Sequence, residues 1–89
     1  MRAVITVLGK DMVGILSKVS TRCAQRNVNI MDVTQSILQD VFAMVMLVDI
    51  SALDGEFSEF AQELTELGQE MGQSIHTMHE DIFNSMHRI

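Results

Sequence analysis

Hydrophobic and polar positions along the chain change period several times, and each change predicts an element. Residues 2–8 are apolar on nearly every position, with Ala3, Ile5 and Val7 on one side and Val4, Thr6 and Leu8 on the other. Such a run suits a strand in the middle of a sheet. From Met12 to about Arg26 the spacing becomes helical, with Met12, Leu16, Val19 and Cys23 in one stripe and Ile15 beside it. Asn27 is the expected stop. Val28 to Leu38 returns to strand chemistry, but Asn29, Asp32, Thr34 and Gln35 within it predict an edge position. Gln39-Asp40 makes a tight hairpin connection to Val41–Ser51. There Phe42, Met44, Met46, Val48 and Ile50 oppose Val45 and Leu47, the pattern of a second central strand.

Phe57, Phe60, Ala61, Leu64, Leu67 and Met71 then fall on one face of a helix, with Ser51 or Asp54 as the expected cap and Gly72 as the stop. Its other face carries Glu56, Glu59, Glu63, Glu66 and Glu70, which reads as a solvated surface. The row Lys18, Arg22, Arg26 on the first helix reads the same way. Ser74 to His79 is a shorter, more polar strand for the other edge. In the last stretch, Asp81 to Ile89, one helical side gathers Ile82, Phe83, Met86 and Ile89.

The order strand–helix–strand–strand–helix–strand predicts an α+β fold, the ferredoxin-like βαββαβ two-layer sandwich. Right-handed crossovers put strands one and three in the middle of a four-stranded antiparallel sheet with both helices on one face, plus a short C-terminal helix. With 89 residues the expectation is one domain, 1–89, of which 79–89 form the tail. The sheet's second face keeps apolar side chains that only the tail could cover. That predicts a homo-oligomer, most simply a dimer.

Composition narrows the chemistry. A net charge of −6 argues against a nucleic-acid partner. Eight methionines give a soft interior or an adaptable contact surface. The single cysteine, on the apolar stripe, reads as a buried hydrophobe and requires no oxidising compartment. No signal peptide is legible, and the longest apolar run, Val41–Val48, is far short of a membrane span. A soluble, cytoplasmic protein is expected. His76 and His79 would point to opposite faces of a strand, a poor start for a metal site. No catalytic order or phosphate-binding signature appears, so neither an enzyme nor a cofactor is expected.

The candidate site is the stretch Gly9-Lys10-Asp11-Met12-Val13-Gly14-Ile15-Leu16, where a strand empties onto a helix start. Unpaired N–H groups of the first helical turn and the helix dipole together favour a carboxylate or phosphate there. Gly9 is expected to supply unusual backbone angles, and Gly14 to let a ligand or neighbouring chain approach. Asp11 is the expected N-cap.

Gly9-x-Asp11-x-x-Gly14-Ile15, followed by Asn29-Ile30-x-Asp32 on this element order, resembles the ACT domain. The resemblance covers essentially the whole chain, and it extends to the ACT modules of the glycine-cleavage regulator and of formyltetrahydrofolate deformylase. It implies a regulatory module that binds an amino acid or related small molecule near a subunit interface, with a regulated enzyme as a further partner. It implies a ligand loop of Gly9, Lys10, Asp11, Met12, Val13, Gly14 and Ile15, and an opposing wall of Asn29 and Ile30 from the same or a partner subunit. Asp11 or Asn29 would take the ligand's ammonium. Val13 stands where many members have proline. The alternative is an interaction module that oligomerises and takes no small ligand.

Overall fold

The elements follow the predicted order in a computed structural model that describes residues 1–86, so the expectations on His87 and Ile89 lie outside the described residues. They are β1 (Arg2–Lys10), α1 (Ile15–Gln25), β2 (Asn29–Leu38), β3 (Val41–Asp49), α2 (Phe57–Met71), β4 (Gln73–His79) and α3 (Glu80–Met86). The four strands form an antiparallel sheet in the order β2-β3-β1-β4. The two strands read as apolar on both faces are the central pair, and the two with polar interruptions are the edges.

Strand register decides which side chains meet. Ala3, Ile5 and Val7 stand opposite Val48, Met46 and Met44, and all six are buried on the face that α1 and α2 cover. Ile15, Val19 and Cys23 from α1, with Phe60, Leu64, Leu67 and Met71 from α2, complete the core. Burial pushes the Cys23 thiol up to about 11, so it stays protonated at neutral pH and packs as a small apolar group. The α1 stripe is therefore Ile15-Val19-Cys23. Met12, assigned to it from the sequence, lies outside the helix and is exposed. The later helix start removes Met12 from the stripe, and Ile15 takes the buried place expected of Leu16, which is only partly buried.

Helix α2 is not capped by Ser51 or Asp54. Its N-cap is Glu56, whose backbone N–H donates to the Glu59 carboxylate at 3.2 Å, a reciprocal use of the first turn. Gly72 ends the helix with φ 72°, in the left-handed region that glycine enters cheaply. Nor are all the charges of the two helices merely solvated. Arg26 Nε donates to Glu63 Oε1 at 3.1 Å, its Nη2 pairs with Glu63 Oε2, and Arg22 approaches the same carboxylate at 3.8 Å. Arg26 Nη1 also donates to the Asp54 carbonyl at 2.9 Å, tying the approach to α2 onto the end of α1.

On the other face α3 turns back over β1 and β4, anchored by Arg2 Nη2 to Glu80 Oε2 at 2.7 Å. Val4 points outward yet is buried beneath it. Phe83 and Met86 line a cavity of about 500 Å³ with Thr6, Leu8, Val45 and Met78. Cover is partial, since Leu8 remains 55% and Val45 41% exposed.

Two outcomes follow for stability. Leu64→Ala should cost about 2–5 kcal/mol by chemical denaturation, because the side chain is fully buried. The hydrogen bond from Arg26, then its charge and that of Arg22, holds the Glu63 carboxyl below the usual carboxylate range. A depressed carboxyl stabilises the fold above its unfolded value and loses that effect as pH falls through the folded one. Glu63→Gln should therefore lower the thermal midpoint at pH 7, with the gap to wild type closing below about pH 4. A gap that stays constant to pH 3 would contradict the pairing.

Candidate functional site

Strand β1 runs two residues further than its apolar pattern suggests, so Gly9 and Lys10 are strand and only residues 11–14 form the turn. Gly9 pairs with Phe42 on one side and Gln73 on the other, in ordinary extended pairing. Unusual angles belong to Gly14 instead, the N-cap of α1, with φ 89° and ψ 9°. A Cβ at Gly14 would meet nothing within 4 Å, so its glycine is required by conformation and not by crowding. The roles expected for the two glycines are thus exchanged.

Asp11 does not cap the helix. The N-cap is Gly14, and among the described residues no side chain makes a capping hydrogen bond to α1 or supplies an acidic group to its first turn. The N–H groups of Ile15, Leu16 and Ser17 precede the first intrahelical bond, which runs from Lys18 N–H to the Gly14 carbonyl at 3.0 Å. Asp11 is fixed by its backbone, which donates to the Asp40 carbonyl at 2.8 Å and so ties the turn to the β2–β3 hairpin.

Beside this helix start lies a shallow cleft of about 380 Å³. Asp11, Met12, Gly14, Ile15, Leu16 and Ser17 line one side of it, and Gln35, Ile37 and Phe42 the other. The start of α1 thus faces a side that carries two large apolar residues, Ile37 and Phe42. Ile37 is 58% and Val13 96% exposed, which leaves the rim unusually apolar for a solvent-facing turn.

The structure brings together Asp11, Met12, Gly14 and Ile15 of the candidate residues around the cleft, with Val13 on the rim and Gly9 and Lys10 at its root. It does not bring Asn29 and Ile30. Asn29 pairs with Asp49, which pairs with Arg2, whereas the turn follows Gly9, which pairs with Phe42 and through it Ile37. Seven strand residues, roughly 24 Å, separate the two levels of the sheet. Asn29 and Ile30 of the same subunit thus lie away from this cleft, whose far side is formed by Gln35, Ile37 and Phe42. The hairpin contained the signal, because a two-residue turn at Gln39-Asp40 forces Ile37 beside Phe42.

The two described histidines lie on opposite faces of the sheet. His76 faces outward, 3.2 Å from the Ser74 hydroxyl, and His79 faces the helix layer and stacks on Phe57 with centroids 4.2 Å apart. Among the described residues no three His, Cys, Asp or Glu side chains are grouped to hold a metal ion, and no helix is long and apolar enough to cross a membrane.

A family model described as the ACT domain matches residues 2–78. The UPF0237 protein of Listeria innocua serovar 6a is 49% identical over 89 residues, spanning the whole of both chains. An ACT domain protein from Streptococcus pneumoniae superposes with a TM-score of 0.80 at 35% identity, over 93% of each chain. A formyltetrahydrofolate deformylase from Pseudomonas syringae shares the fold, with a TM-score of 0.79 at 22% identity, over 88% of this chain and 27% of that one.

The turn makes a direct prediction. Asp11→Ala should change the unfolding free energy by less than about 0.5 kcal/mol, because the carboxylate caps nothing. Gly14→Ala should lose roughly 1–2 kcal/mol through its left-handed backbone alone. A larger loss at Asp11 than at Gly14 in urea titration would restore the capping assignment.

Proposed function

The chain belongs to the ACT domain family, and on that premise we propose that it is a regulatory module that binds an amino acid at the start of α1. ACT domains are generally regulatory amino-acid-binding modules, and they commonly oligomerise. The observation that carries the reading here is the contrast between the two long helices. Helix α2 receives carboxylates of its own at its first turn, whereas the first turn of α1, which opens into the cleft, has no side-chain cap and no acidic residue among the described residues. The α-carboxylate of an amino acid would supply the missing anion at the N–H groups of Ile15, Leu16 and Ser17. The Asp11 carboxylate, unused as a cap, would take the ammonium, and Ile37 and Phe42 would meet an apolar side chain.

The same reading includes a homodimer or higher homo-oligomer. Leu8, Val45, Val41 and Leu38 leave an apolar strip on the outer sheet face that α3 does not fully cover. In such an assembly Asn29 and Ile30 would come to the loop only from a partner subunit. A regulated enzyme would be the further partner. The exposed strip also supports the second reading, an interaction module with no small ligand.

Thermal-shift screening of the purified protein against the twenty amino acids tests the proposal. At least one should raise the midpoint in a concentration-dependent way. For that amino acid, Asp11→Asn should weaken binding by around 1–3 kcal/mol in titration calorimetry while leaving the unliganded midpoint unchanged. No shift with any of the twenty would leave the interaction module standing. Sedimentation equilibrium at micromolar concentration should give at least a dimer, and a monomer would remove the oligomer from either reading.

A further inference from the structure

The core has one buried polar side chain among the described residues, that of Gln73, 5% exposed. It sits where α2 gives way to β4 through the single residue Gly72. Three of the chain's five glycines crowd around it. Gly72 precedes it in the left-handed region. A Cβ on Gly68 would lie 2.7 Å from the Gln73 carbonyl oxygen and 2.8 Å from Ile75 Cγ1, so the last turns of α2 pass over β4 only because that position is bare. A Cβ on Gly9 would overlap Gln73 Oε1 and lie 2.9 Å from the Gly72 carbonyl oxygen. Glycine inside a strand weakens it, so Gly9 is bare to make room for the Gln73 side chain, while Gly68 lets α2 pass over the β4 backbone and Ile75.

What Gln73 does there follows from the register. Pairing between β1 and β4 ends at Gly9 opposite Gln73, because the chain then leaves the sheet into α2. The carbonyl of Lys10, next along β1, has no β4 backbone to receive it. Gln73 Nε2 donates to that carbonyl at 2.6 Å, so its side-chain amide extends the ladder by one position. The N–H of the same peptide unit, on Asp11, donates to the Asp40 carbonyl at 2.8 Å. One peptide group, the last before the turn, is thereby held at both ends, from the β4 side and from the hairpin side.

We infer that Gln73 is the positioning residue of the loop at residues 11–14, fixing the Lys10–Asp11 peptide and with it the direction in which the turn meets the start of α1. The inference rests on the reading of that loop as the ligand site, and it assigns to the site a residue that lies 63 positions away in sequence. Gln73 does not line the cleft, so it acts through the peptide and not on the ligand.

Amide hydrogen exchange on the unliganded protein tests this without requiring any ligand. Gln73→Met fills the same space but cannot donate. The Asp11 amide should exchange at least about tenfold faster, while the amides of Ile5 and Val7 and the thermal midpoint stay near wild type. An Asp11 amide that exchanges at the wild-type rate in a folded Gln73→Met protein overturns the assignment, and leaves Gln73 as core filling. Should Gln73→Met not fold, the shared space gives a second measurement. Gly9→Ala should lower the midpoint less in a Gln73→Ala background than in wild type, and strictly additive losses would overturn the assignment. A faster Asp11 amide in a protein that binds none of the twenty amino acids would keep the clamp and remove only the ligand reading.

Discussion

Strands β1 and β3 are apolar on both faces, and the rest of the fold answers to that fact. A central pair of this kind needs cover on two sides, and α1 and α2 supply only one. Their layer buries Ala3, Ile5, Val7, Met44, Met46 and Val48 completely. On the opposite side α3 reaches over Val4 and part of the edge, then leaves Leu8 and Val45 open. The more polar strands β2 and β4 are left as edges, where polar residues such as Asn29, Asp32 and Ser74 are exposed to water. Sheet order, helix placement and the exposed strip are thus consequences of one distribution of side chains.

The same constraint places the candidate site. With both crossovers on one face, α1 begins where β1 ends and α2 ends beside it. The turn of residues 11–14 is consequently held between the hairpin carbonyl of Asp40 and the Gln73 amide, while the helix start it delivers carries no cap. A rigid root and an open row of donors are the two properties that an anion site on a small scaffold requires. Helix α2 shows the alternative within the same chain, since its Glu56–Glu59 pair closes the first turn internally.

Element order, sheet order and nearly all core positions were legible because each rests on a local period of two or about 3.6 residues. What depended on contacts between distant segments was not. Glu63 looked like one more solvated glutamate until the α1–α2 crossing set it against Arg26 and Arg22. Gly9 and Gly14 each meet a structural constraint, with the two expected reasons exchanged. Sequence spacing does not reveal that β1 continues to Lys10, which makes Gly9 a matter of room for Gln73 and Gly14 a matter of angle. Asp11 has the residue type and position of an N-cap, and it loses that role because the helix starts four residues later. Asn29 and Ile30 stand at the far end of a strand parallel in direction to β1, a fact that only the completed register supplies. Gln73 left no local trace, because its function lies in the partner it meets 63 residues upstream.

The central claim is that the uncapped start of α1 holds the carboxylate of an amino acid. Backbone amide chemical shifts of the labelled protein, followed while each of the twenty amino acids is titrated in, test it most directly. For the amino acid that binds, the account predicts that the largest and saturating changes fall on the amides of Ile15, Leu16 and Ser17, with Asp11 and Ile37 beside them. Saturating changes confined to the acidic face of α2 or to the outer sheet face, with the α1 amides unmoved, would contradict it.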